Sequence, residues 1–300
     1  MKKIVSLMVI MMLVFTFVAC EKDEVEKESF QPITFVDGMG REVTIDASIE
    51  KVVSLAPSMT EMLYAFDLGD LLVGRTSYCN FPEAALSVES VGSLREPNIE
   101  AIIGLEPDLI LMSTHGDEET MKMFEEAGIT VGVLIAQESF EGVYEIMDQF
   151  GMIFNEKEKA ETLKADMKSE VATLVEAVKD VERQTVYYVV GYGDSDWTAT
   201  GDTFIHQVLE MAGGINIAAD ASGWGYNLET LIEKDPHFIV LDELYDTKAT
   251  FTSTEGYEDL TAVKEGRVYE IDTNLLSRQG PRIVEGLRAL IEIMHPEALK

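Results

Sequence analysis

One phrase occurs twice in this chain, and that duplication limits the folds open to it. Asn98-Ile99-Glu100-Ala101-Ile102-Ile103, running on to Glu106-Pro107-Asp108-Leu109-Ile110-Leu111, returns as Asn227-Leu228-Glu229-Thr230-Leu231-Ile232, running on to Asp235-Pro236-His237-Phe238-Ile239-Val240. Matched residues lie 129 positions apart with no gap, as Asn98 and Asn227 show. So long a period is too large for a solenoid or propeller unit and points to two related domains. Asn98 and Asn227 are suitable N-caps, which places Glu100 and Glu229 in the first turn, where the helix dipole favours an acid. Ile99, Ile102 and Ile103 form the expected inward face, matched by Leu228, Leu231 and Ile232, and each glutamate then points to solvent.

The rest of the pattern alternates strand and helix, as parallel sheets require. Thr34–Val36 and Val43–Ile45 read as a small hairpin about Asp37-Gly38. Strands are expected near 52–55, 71–73, 109–112 and 131–135, then near 186–190, 238–241 and 268–271. Ser58-Met59-Thr60-Glu61 fits a capping box, and Ser139 fits an N-cap. From Asn155 a run rich in Glu, Lys and Ala carries Ala160, Leu163, Met167, Val171, Leu174, Val178 and Val181 at helical spacing. It contains no Gly or Pro, which predicts one stiff helix of about 25 residues, roughly 37 Å long. Helices are also expected at Phe204–Met211 and Ile283–Met294.

Lys2-Lys3, the apolar run from Ile4 to Ala19, and Cys20 have the form of an export signal followed by a cysteine available for lipid. The run is short for a membrane span. Phe17 stands where such lipid signals usually carry leucine, and an ordinary signal peptide with an incidental cysteine is the alternative. Cys20 and Cys79 are the chain's two cysteines, so lipidation leaves no internal disulfide. Glu21–Ser29 reads as a charged tether. A formal charge of −32 repels phosphate backbones and excludes nucleic acid as a natural partner.

Rings in Gly-rich loops are the candidate ligand contacts: Tyr78, Tyr192, Trp197 and Trp224. Each has a plain alternative, an aromatic that merely anchors its loop. Arg95 and Arg278 are the candidate cleft cations, with a surface ion pair as the alternative for Arg95 beside Glu96. Arg282, beside Pro281 at a helix start, is assigned to structure. His115, His206, His237 and His295 show no ligand pairing, so a metal centre is not expected. Tyr78, Tyr192 or Tyr245 could reach a haem iron. Cys79 reads as a partly buried free thiol, Gly191-Tyr192-Gly193 as a weak phosphate loop, and Val91–Leu94 as no nucleophile elbow.

Val52-Val53-Ser54-Leu55-Ala56-Pro57-Ser58, Val73-Gly74, Tyr78-Cys79-Asn80-Phe81-Pro82 and Pro97-Asn98-Ile99-Glu100 occur in this order. Gln207-Val208-Leu209-Glu210, Gly213-Gly214-Ile215-Asn216-Ile217 and Gly280-Pro281-Arg282-Ile283 follow. Together, from about Thr34 to Pro296, they resemble the cobalamin- and ferric-siderophore-type substrate-binding proteins of ABC importers. The resemblance implies two Rossmann-like α/β lobes with mostly parallel sheets, joined by one long rigid helix, with a ligand cleft between them. Its boundaries would be a signal peptide at 1–19, a lipidated tether at 20–32, an N-terminal lobe at 33–153, a linking helix at 154–182 and a C-terminal lobe at 183–300. It further implies that Glu100 and Glu229 dock onto arginines of a permease dimer with its ATPase subunits. The ligand would be a ferric siderophore, a corrinoid or haem, captured by a monomer held to the membrane through Cys20. No cofactor and no catalysis are expected, with an extracytoplasmic enzyme as the alternative. Some cobalamin binders carry an aromatic where this chain has Leu94-Arg95.

Overall fold

The structure is a computed structural model that describes residues 30–114, 116–135, 137, 139–243 and 247–300. The expected signal peptide, Cys20, the charged part of the tether, His115 and Tyr245 lie outside the described residues. Pro32–Lys300 form one compact unit.

Strands β1 (Ile33–Val36) and β2 (Glu42–Ile45) form the expected antiparallel hairpin. Its turn is organised by Asp37, whose Oδ1 accepts from the amides of Met39 (2.9 Å) and Arg41 (3.0 Å) while Oδ2 accepts from Arg41 Nε (2.9 Å). Burial pushes the Asp37 carboxyl up, but the Arg41 side chain and the two amides together outweigh it and hold it below its ordinary value. The native state therefore gains from ionised Asp37 at neutral pH and loses that gain as pH falls through the lowered value. Asp37→Asn should cost about 1–3 kcal/mol at neutral pH. Urea unfolding from about pH 7 to about pH 3 should show a smaller acid-induced loss in the variant than in the native chain.

The first lobe continues with β3 (Val52–Ser54), α1 (Pro57–Ala65), β4 (Leu72–Arg75), α2 (Ile99–Gly104), β5 (Leu109–Met112), α3 (Glu118–Glu126) and β6 (Thr130–Val133). Its sheet is parallel in the order β4-β3-β5-β6. Helices α4 (Phe140–Ile153) and α5 (Lys157–Ala177) then form a hairpin leading into the second lobe. That lobe contains β7 (Gln184–Gly191), β8 (Asp196–Thr198), α6 (Phe204–Met211), β9 (Gly214–Asn216), β10 (Gly225–Tyr226), α7 (Leu228–Lys234) and β11 (Phe238–Asp242). It closes with α8 (Thr247–Ser253), α9 (Thr261–Lys264), β12 (Val268–Ile271), α10 (Asn274–Ser277) and α11 (Ile283–Met294). Its sheet runs β10-β8-β7-β11-β12 with β9 also on β7; β9, β7, β11 and β12 are parallel, and β8 and β10 antiparallel.

The linking helix is shorter than its pattern predicts. Asn155 does not open it; at φ 57° it sits in the left-handed region just beyond α4, ending that helix. The 21 residues of α5 span roughly 32 Å. Gly151 permits the tight α4–α5 approach, because a Cβ there would lie 2.7 Å from the Ala160 methyl.

Residues alternate between two cores along the central strands. Leu109 and Leu111 of β5, Val186 and Tyr188 of β7, and Phe238 and Val240 of β11 all enter one core shared by both lobes. Ile110 and Met112 face a core private to the first lobe, and Tyr187, Val189, Ile239 and Leu241 one private to the second. Phe140 of α4 meets Phe204 of α6 edge-on at 5.3 Å, so the shared core crosses directly between lobes.

The duplicated phrase folds alike twice. Asn98 Oδ1 accepts from the Ala101 amide and Asn227 Oδ1 from the Thr230 amide, each at 3.1 Å. Glu106 and Asp235, matched residues that each precede a proline, both take positive φ, 51° and 36°. Ile102 and Leu231 are fully buried. Ile103 and Ile232, expected to face inward, are instead exposed (37% and 46%), since these one-to-two-turn helices present to the core only the narrow face of Ile99 and Ile102, or Leu228 and Leu231.

Candidate functional site

A cleft of about 510 Å³ opens between the lobes, within the range of small-molecule sites. Its walls come from the carboxyl ends of parallel strands, where such sheets place ligands. After β3 come Ala56, Pro57 and Ser58; after β4, Tyr78; after β5, Ser113 and Thr114. The opposite wall takes Val189 and Val190 from β7, Asp242 from β11, and Thr273, Asn274 and Gln279 beyond β12. Ile146, Phe204 and Ile205 form part of the lining from α4 and α6.

Of the sequence candidates, Tyr78, Trp224 and Arg278 line this cleft. Tyr78 is 56% exposed. Trp224 has φ 69°, an outlier for a bulky residue and a strained one. Hydrogen bonds hold it there: its amide donates to Thr200 Oγ1 (3.1 Å), its carbonyl accepts from Thr198 (2.8 Å), and the Gly223 amide donates to Asp202 Oδ2 (3.0 Å).

Arg95, Tyr192 and Trp197 are not among the lining residues. Leu94 reaches the cleft while Arg95 is exposed on the loop. Tyr192 stands edge-on to Phe251 at 5.1 Å and to Tyr257 at 5.6 Å, anchoring its loop on the second lobe's private core. Trp197 of β8 pairs with Gly225 of β10, and its neighbours Asp196 and Thr198 are buried, so strand alternation turns its ring outward. Tyr188 was not singled out by its sequence. Burial, reinforced by Asp242 and Asp272, pushes its phenol up.

Arg278 is committed to protein. Its Nη1 donates to Glu61 Oε1 (2.8 Å) and its Nη2 to the Tyr78 carbonyl (3.1 Å). Glu61 is thus no capping residue: α1 begins at Pro57 without a side-chain cap, and the carboxylate is buried against the other lobe. Burial pushes the Glu61 carboxyl up against the pull of Arg278 and Arg282. Cys79, expected to be partly buried, is wholly buried, with Sγ 3.2 Å from Thr76 Oγ1. Among the described residues no group of three His, Cys, Asp or Glu is placed to hold a metal ion.

The periplasmic binding protein family model matches residues 52–275, three-quarters of the chain. The chain belongs to that family. It is 34% identical to an ABC transporter substrate-binding lipoprotein of Bacillus subtilis, over 94% of this chain and 92% of that one. It is 31% identical to a cobalamin-binding protein of Halobacterium salinarum, over 88% of this chain and 74% of the relative. Among solved structures, an ABC-type Fe3+-hydroxamate transport protein from Saccharomonospora viridis superposes with TM-score 0.73 at 26% identity, covering 89% of this chain and all of that one. These relatives are substrate-binding transport proteins, and the chain is not an enzyme.

Proposed function

We propose that this chain is the extracytoplasmic substrate-binding lipoprotein of an ABC importer, anchored through Cys20, and that its cargo is a neutral, amide-fringed corrinoid. The observation that carries the choice of cargo is the charge of the cleft. Among the described lining residues Arg278 is the one basic side chain, and its guanidinium is spent on Glu61 and the Tyr78 carbonyl. The carboxylate of Asp242 is the one acid in that lining. A polyanionic ferric catecholate, or haem with two carboxylates, would lose water there without gaining a cation, a costly exchange. A corrinoid offers an apolar face to Tyr78 and Trp224 and amides to Ser58, Ser113, Asn274 and Gln279. The kinship with a cobalamin-binding protein supports the same cargo. A neutral ferric hydroxamate satisfies the same electrostatics, and the solved hydroxamate-transport relative favours it as the second reading.

Titrating the purified protein with cyanocobalamin, the neutral ferric hydroxamate ferrichrome and haemin, followed by tryptophan fluorescence and visible absorption, tests the choice. Cyanocobalamin should bind the most tightly. Absence of cyanocobalamin binding, or tighter binding of haemin, sinks the corrinoid assignment. Trp224→Ala should weaken cyanocobalamin at least about tenfold. Trp197→Phe, outside the cleft lining with its ring turned outward, should leave the affinity native.

A further inference from the structure

We infer that Arg278 and Arg282 are positioning residues: together they fasten the Tyr78–Pro82 loop of the first lobe to the second and so preset the cleft. The cleft's role as ligand site rests on the reading above; the fastening itself does not.

Two guanidiniums from the second lobe grip three groups of the first. Arg278 bridges the Glu61 carboxylate and the Tyr78 carbonyl. Arg282 Nη1 donates to the same Glu61 oxygen at 3.3 Å, and its guanidinium carbon lies 3.7 Å from the centre of the Phe81 ring. The loop is therefore held at both ends, at Tyr78 by a hydrogen bond and at Phe81 by cation–π contact. Between them Cys79 pins the loop inward, its amide donating to the Thr76 carbonyl at 3.1 Å. With its backbone fixed from across the cleft, the Tyr78 ring is presented to ligand in one place.

Stability alone is a poor account of this cluster. A buried ion pair loses hydration that its attraction barely restores, and apolar residues of similar volume often serve as well. Here the expense is visible: Glu61 Oε2 is buried with no hydrogen-bond partner, and Arg282 Nε, buried and without a hydrogen bond, has only Glu285 Oε2 near it at 3.6 Å. What apolar residues could not supply is a forked donor that ties a carbonyl and a carboxylate at fixed distances. The two ends of the contact are also remote in sequence, 217 residues apart for Glu61 and Arg278, so it joins lobes rather than neighbours.

Glu61 and Arg282 are absent from the cleft lining, which separates positioning from contact. Spin labels on cysteines replacing the exposed Lys122 and Lys264, one per lobe, report the interlobe distance without ligand. The native distribution should be narrow; Glu61→Gln and Arg282→Met should broaden it, and both should weaken cyanocobalamin about tenfold. Phe81→Leu, a change at a half-exposed ring that keeps every charge, should broaden it less and guards against variants that do not fold. Native-width distributions in folded Glu61→Gln, Arg282→Met and Phe81→Leu overturn the inference, whatever the ligand. Broadened distributions in the folded variants, beside a native protein that is narrow but does not bind cyanocobalamin, uphold the fastening and remove the corrinoid reading alone.

Discussion

Transport should fall about a hundredfold or more when Glu100 and Glu229 are both replaced by lysine, with ligand affinity unchanged. Both acids are exposed, each just inside an asparagine-capped helix, and neither lines the cleft. We propose that the two glutamates dock onto basic sockets of a permease dimer; each reversal then becomes a like-charge contact, which costs several kcal/mol. Single Glu→Ala changes should give intermediate losses, and high salt should weaken the native complex, as expected for exposed charges. Uptake of labelled cyanocobalamin into vesicles holding the importer, measured beside equilibrium binding, separates the two effects. If affinity for the ligand falls in step with uptake, the glutamates serve the pocket or the fold and the docking proposal is lost.

Phe150→Ala should remove about 3–5 kcal/mol of stability. Its ring is fully buried on α4, 5.5 Å from Phe66 and 5.4 Å from Phe154, inside the core that both lobes share. The surrounding helices and sheets cannot collapse onto the space a benzyl group leaves, so a cavity term adds to the lost transfer energy. Chemical denaturation should show a lower midpoint with an unchanged slope. Phe150 is not a cleft residue, so the folded variant should still bind ligand with native affinity. A loss below about 1 kcal/mol would mean that this core is loosely packed.

Much of the scaffold was legible because it is written in periodicity. Strands and helices appear close to where alternation and helical spacing put them, and Asn98, Asn227 and Ser139 cap as read. The failures share a cause: local patterns do not show which lobe a side chain faces. Ser58–Glu61 has the letters of a capping box, yet Glu61 answers to arginines more than two hundred residues away. Ile103 and Ile232 have helical spacing, but the helices are too short to bury a full apolar face. Aromatic residues in glycine-rich loops gave Tyr78 and Trp224 as cleft residues and also Tyr192 and Trp197, which turn elsewhere. Ser113, Thr114, Asp242 and Asn274 carry no compositional signal. The rule that ligands meet the carboxyl ends of parallel strands would have found them, since each ends or closely follows such a strand.

The shared core also bears on how an importer could tell a loaded receptor from an empty one. A ligand shifts a conformational equilibrium only by binding its states unequally. Lobes joined through Phe140 and Phe204, with α4 and α5 packed behind them, have little second state to offer. Under the docking proposal, Glu100 and Glu229 would then present the same spacing whether or not cargo is aboard. The message that the cleft is full would have to be carried by the cargo's own surface at the mouth of the cleft, read directly by whatever docks there.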